Sequence, residues 1–90
     1  MSEEDEDTLL QFPCEFPIKV IGKADCDLDA LAFALIRAHV PDLGEGAIRS
    51  RASSEGRYHS VTVVINAQSK AQLDAIYRSL TASEHVIMAL

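Results

Sequence analysis

The sequence predicts an α+β fold, a ferredoxin-like β-α-β-β-α-β plait in which two helices cover one face of a four-stranded antiparallel sheet. Three observations point to it. Apolar residues alternate with period two over about 16–22 and again from 58 to 65. Two separate stretches, about 26–40 and 69–83, carry apolar stripes at helical spacing. Between them "SSEG" joins two strand-like runs, which makes a hairpin of the middle of the chain. Right-handed crossovers then put the first and third strands in the centre of the sheet.

The first strand follows a linker punctuated by Pro13 and Pro17. Phe16, Ile18 and Val20 alternate with Pro17, Lys19 and Ile21, and Gly22 ends the run. Proline lacks a donor, so Pro17 belongs among the strand's first residues. The first helix is predicted over about 26–40. Leu28, Leu31, Ala32, Leu35, Ile36 and His39 form its stripe, Asp25 or Asp27 caps it, and Pro41 stops it. The acids Asp25, Asp27 and Asp29 read as capping residues suited to the macrodipole, and His39 as a satisfied packing histidine.

"DLGEG" is a loop, "AIRSRAS" the second strand and "RYHSVTVVINA" the third. A two-residue turn of Glu55 and Gly56 is predicted, pairing Ser54 with Arg57, Ala52 with His59, Ser50 with Val61 and Ile48 with Val63. A three-residue turn would slip the register by one and turn Arg49 and Arg51 toward the helices, where an unpaired guanidinium is costly. The second helix opens with Ser69 and Gln72 as a capping box, and Leu73, Ile76, Tyr77 and Leu80 form its stripe. "EHVIMAL" is the last strand, with Val86, Met88 and Leu90 expected inward and Ile87 outward.

The net charge of −6 is concentrated at one end. Glu3, Glu4, Asp5, Glu6 and Asp7 supply five of fourteen acids, and without them nine acids face eight bases. Residues 1–8 therefore read as a disordered acidic tail, and 9–90 as a single domain that is nearly neutral. A chain this short buries only about 60–65% of its unfolded surface, so one small core carries the fold. No apolar run approaches the about 18–20 residues of a membrane span, and "MSEEDEDTLL" has none of the features of a signal peptide. The expected location is the cytoplasm, with Cys14 and Cys26 reduced. With His39, His59 and His85, the cysteines show no pair at close ligand spacing, so neither a metal nor a cofactor is expected.

Strand parity assigns Lys19, Ile21, Arg49, Arg51, Tyr58, Ser60, Thr62, Val64 and Ile87 to the sheet face that the helices leave open. It combines an apolar band with a basic, hydroxyl-rich end, and contiguous apolar patches on small domains tend to be used. No catalytic constellation emerges. Ser60 and His59 are strand neighbours, so they point to opposite faces. "DLGEG" feeds a strand, so it is no phosphate cradle. RNA-binding plaits stack bases on two or three sheet aromatics, whereas this face offers Tyr58 alone.

"FPCEFPIKVIG" and "SSEGRYHSVTVVINA", with the spacing to "LDAIYRSL" and "VIMAL", resemble the YbeD-like family of small uncharacterised bacterial proteins over residues 9–90. The resemblance implies a ferredoxin-like fold similar to the ACT regulatory domains, which bind small molecules such as amino acids between paired domains. It also implies a ligand site on the loop "GKADCD", with Gly22, Lys23 and Asp25 as its residues. It brings no catalytic residues. Two functional expectations follow. The first is a non-enzymatic regulatory or protein-interaction module that self-associates or meets a protein partner and takes a small metabolite. The alternative is an RNA-binding module using the open sheet face, with Tyr58, Arg49 and Arg51; nucleic acid is the less favoured partner, since the folded part is not basic.

Overall fold

The computed structural model describes residues 11–54 and 56–90. The expected acidic tail lies outside them, as does Glu55 of the hairpin turn. The elements run β1 (Cys14–Lys23), α1 (Leu28–Arg37), a 3-10 turn (Glu45–Ala47), β2 (Ile48–Ser54), β3 (Tyr58–Ala67), α2 (Lys70–Ala82) and β4 (Val86–Ala89). The strands form one antiparallel sheet in the order β2-β3-β1-β4, so β1 and β3 are central as expected.

The long β1–β3 ladder pairs Cys14 with Ala67 through to Lys23 with Tyr58. Strict alternation across it sends Ile18, Val20, Val61, Val63 and Ile65 to one face, where all are buried. Pro17 sits within β1 and not at its start. Lys19 exchanges both backbone bonds with Leu90, at 2.9 and 2.8 Å. Two residues earlier, Pro17 faces the same way, beyond the reach of β4, so its missing N–H leaves no ladder bond unmade.

α1 is shorter than its stripe suggested. Asp27 is the N-cap, its side chain accepting from the Ala30 N–H. After Arg37 the chain tightens into a turn, in which His39 and Val40 both donate to the Ile36 carbonyl, at 2.9 and 3.0 Å. His39 is satisfied as expected, its Nε2 lying 2.7 Å from Ser79 Oγ. Ser69 caps α2 by accepting from the Gln72 N–H at 3.1 Å. The return bond of the capping box goes one residue further back: Gln72 Oε1 accepts from the Gln68 N–H at 2.8 Å. Leu28, Ala32 and Ile36 of α1, with Leu73, Ile76 and Leu80 of α2, are buried against the sheet. Each of the leucine and isoleucine side chains contributes about 1.5–3 kcal/mol through burial.

The hairpin and β4 depart from expectation. Ser54 pairs with Tyr58, so three residues separate the strands, and Gly56 takes a left-handed φ of 75° that suits glycine. The register is therefore one residue out near the turn: Arg51 opposes Val61 and Ser53 opposes His59. A bulge between Ile48 and Ser50 absorbs the slip and returns Ile48 to Val63, the pairing expected there. In β4, Val20 pairs with Ala89 and Gly22 with Val86, with a second bulge between them. Val86 and Ala89 pack on the core, while Met88 and Leu90 point away from it. The expectation that Met88 and Leu90 face inward is thus corrected, because one extra residue in the strand reverses parity beyond the bulge.

Candidate functional site

No helix covers one face of the sheet, and pairing fixes what lies there. Pro17 stands opposite Val64, Lys19 opposite Thr62, Ile21 opposite Ser60 and Lys23 opposite Tyr58. Ile21 also pairs with Met88 on its other side, and Leu90 lies beside Lys19. Lys19, Ile21, Tyr58, Ser60, Thr62 and Val64 therefore occupy the face assigned to them. Met88 and Leu90 join them, and this widens the apolar band toward β4. Tyr58, Ile87, Met88 and Leu90 are the large hydrophobic residues left exposed among the described residues, at 47%, 48%, 47% and 59%. Three of the four lie in or beside β4.

That strand is also an edge. Because Lys19 and Leu90 form a doubly bonded pair, the adjoining Val20–Ala89 pair is a non-bonded one. The N–H and C=O of Ala89 hence face outward, away from β1. From Val86 to Leu90 the chain has no charged side chain. The opposite edge, β2, is built differently: it holds Arg49, Arg51 and a bulge, the usual means of discouraging strand addition.

Arg51 leaves the open face. Arg51 lies on the helix side, and its Nε donates to Asp29 Oδ2 of α1. It avoids the cost of a buried guanidinium because β2 is an edge strand, and its side chain remains 62% exposed. Arg49 is the bulged residue, donating from Nε to the Gly46 carbonyl at 2.9 Å. Arg51 is therefore not available to a basic end of the open face. The cause is the three-residue turn.

Gly22, Lys23 and Asp25 run from the end of β1 into the turn that follows. Gly22 and Lys23 belong to β1. A Cβ at Gly22 would lie 2.5 Å from Leu28 Cδ1 and 2.8 Å from the His85 carbonyl, so this glycine permits close packing. Lys23 donates its backbone N–H to His85 at 3.1 Å. Asp25 is exposed in the turn that follows, where its carboxylate lies within 4.8 Å of donor atoms of Cys26 and His85. Sequence spacing missed this grouping because His85 arrives only through the pairing of Gly22 with Val86.

A cleft of about 370 Å³ opens nearby, between the start of α1 and the β2–β3 hairpin. Asp27, Asp29, Arg51, Ser53 and His59 line it. His59 Nδ1 is 3.1 Å from Ser53 Oγ. Ser60 is on the other face of β3, so these two neighbours cannot act as a nucleophile and base. Among the described residues, Tyr77 shows a shifted proton affinity: burial raises its phenol above the ordinary 10.0. Its place is on the core side of α2, away from this cleft.

These features define a small α+β plait with an uncovered, partly apolar sheet face and an unguarded edge strand. The model of the family described as "Protein of unknown function (DUF493)" matches residues 7–90. A UPF0250 protein of Chromobacterium violaceum is 41% identical over 90 residues, spanning the whole of both chains. One of Neisseria gonorrhoeae is 38% identical over 88 residues, covering 98% of this chain and 97% of the relative. The chain belongs to the DUF493, or UPF0250, family of small uncharacterised bacterial proteins, the YbeD-like family its sequence resembles. The solution structure of protein HP0495 from H. pylori shares the fold, with a TM-score of 0.65 at 13% identity, over 90% of this chain and 85% of that one. No helix among the described residues is long and apolar enough to cross a membrane.

Proposed function

We propose that this protein is a non-enzymatic regulatory or protein-interaction module of the cytoplasm, and that two copies pair edge to edge through β4. One observation carries the reading: among the described residues the outward edge of β4 has no strand partner and no charged side chain, and Ile87, Met88 and Leu90 beside it are about half exposed. Antiparallel pairing of β4 with its own copy is isologous, so each apolar residue is covered twice by one contact. The strand has four residues. It offers few ladder bonds, so the pair is a reversible one, at the small end of specific interfaces.

A small metabolite belongs in the cleft beside α1. Its polar lining comes from Asp27, Ser53 and His59, and Arg51 and Asp29 are already paired with each other across it. RNA is less well supported. Tyr58 is the sole aromatic on the described part of the open face, and Arg51 is engaged by Asp29 on the other side.

Sedimentation velocity tests the pairing. The wild-type chain should sediment increasingly as a dimer of its 9.8 kDa mass as concentration rises into the high micromolar range. Met88→Glu should remain monomeric with an unchanged circular dichroism spectrum. A wild-type protein that stays monomeric throughout would remove the proposal.

A further inference from the structure

We infer that Asp25, Cys26 and His85 form a binding site for a thiophilic divalent cation of the zinc class. A carboxylate oxygen, a thiol sulfur and an imidazole nitrogen converge there, all within 4.8 Å of one another. These are zinc's three donor types. Three protein ligands with a fourth position left to water is an arrangement zinc adopts. Zinc bonds of about 2.0–2.3 Å require the donors to close to roughly 3.3–3.8 Å apart. Binding requires side-chain rotation to supply that contraction.

The backbone on both sides of the site is already held. Lys23 donates its N–H to the His85 carbonyl at 3.1 Å, and Gly22 pairs with Val86. The missing side chain of Gly22 lets Leu28 and the His85 carbonyl close in. The turn carrying Asp25 and Cys26 is thereby anchored to the residue before β4 by packing as well as by hydrogen bonds. Cys26 Sγ lies 3.5 Å from the Lys23 carbonyl, which orients the sulfur at the turn.

The donor set also selects the ion. Magnesium and calcium require oxygen ligands, and one carboxylate does not hold them. A thiolate with an imidazole favours zinc, copper, cobalt or nickel. Binding displaces the thiol proton, because the thiolate is the ligand. The cation would clamp the β1–α1 turn to the start of β4. The site shares no residue with the β4 edge contact, so each stands or falls separately.

Cobalt(II) titration of the full chain reads the site directly. One equivalent should give thiolate-to-cobalt charge transfer and the intense visible bands of tetrahedral cobalt, both displaced by zinc. Cys26→Ser should abolish the charge transfer, and His85→Gln and Asp25→Asn should each weaken zinc binding by about tenfold or more. Cys14→Ser should change neither. Zinc should raise the melting temperature of the wild type, and raise that of Cys26→Ser and His85→Gln by clearly less at the same concentration. Absence of charge transfer, a spectrum that survives Cys26→Ser, or equal loss on Cys14→Ser would overturn the assignment. Circular dichroism of His85→Gln identifies a folded variant for the comparison.

Discussion

Arg51 of β2 reaches back across the sheet edge and donates to the carboxylate of Asp29 in the first turn of α1. The contact ties the outer strand of the hairpin to the helix layer. Arg51 is 62% exposed and Asp29 32%, so water screens much of the attraction. Exposed pairs of this kind contribute about 0.2–1 kcal/mol. A double-mutant cycle of Arg51→Ala and Asp29→Asn, measured by urea unfolding, should give a coupling energy below about 1 kcal/mol that declines with added salt.

Gly22→Ala should destabilise far more than its single methyl suggests. The new Cβ would meet Leu28 Cδ1 at 2.5 Å and the His85 carbonyl at 2.8 Å. Overpacking of this kind costs about 1–3 kcal/mol. Adding Leu28→Ala should relieve only part of the clash, because the second obstacle is backbone. Urea midpoints of the single and double variants, at constant slope, check this.

Core and open face should respond oppositely to truncation. Ile76 is fully buried beneath the sheet, and Ile76→Ala should cost about 2–5 kcal/mol. Met88 is 47% exposed, and Met88→Ser in the monomer should stay within about 0.5 kcal/mol of wild type. Thermal unfolding at low micromolar concentration separates the two.

Alkaline pH should destabilise the fold through Tyr77. Burial raises its phenol pKa above 10.0, so the folded chain holds this proton more tightly than the unfolded chain does. Stability from this group is full below pH 10. It is lost as pH rises past that value and through the higher folded pKa, where the unfolded state binds fewer protons. Tyr77→Phe should flatten the decline in that window, as read by urea unfolding at a series of pH values.

The sheet order, the two helices, both N-caps and the central β1–β3 parity were legible in the sequence, because each rests on local signals. Ile18, Val20, Val61 and Val63 alternate cleanly, and Ser69 stands at capping distance from Gln72. The hairpin register was not legible because a helix-facing position is not always a buried one. On an edge strand such a position opens to solvent, and Asp29 supplies a partner that no local pattern announces. The last strand departs for another reason. A one-residue bulge leaves no signature in "EHVIMAL", yet it moves Met88 and Leu90 to the other face and so creates the candidate edge. The grouping of Asp25 and Cys26 with His85 was invisible for a third reason: it depends on register between β1 and β4, which spacing along the chain does not encode.

Amide hydrogen exchange at Ala89, followed as protein concentration rises, tests the paired edge most directly. Its N–H points away from β1, so in a monomer it should exchange freely. In a β4-to-β4 pair it becomes a ladder donor. Protection at Ala89 should therefore grow from low to high micromolar concentration and vanish in Met88→Glu. An Ala89 amide that exchanges at the same fast rate at every concentration would contradict the edge contact.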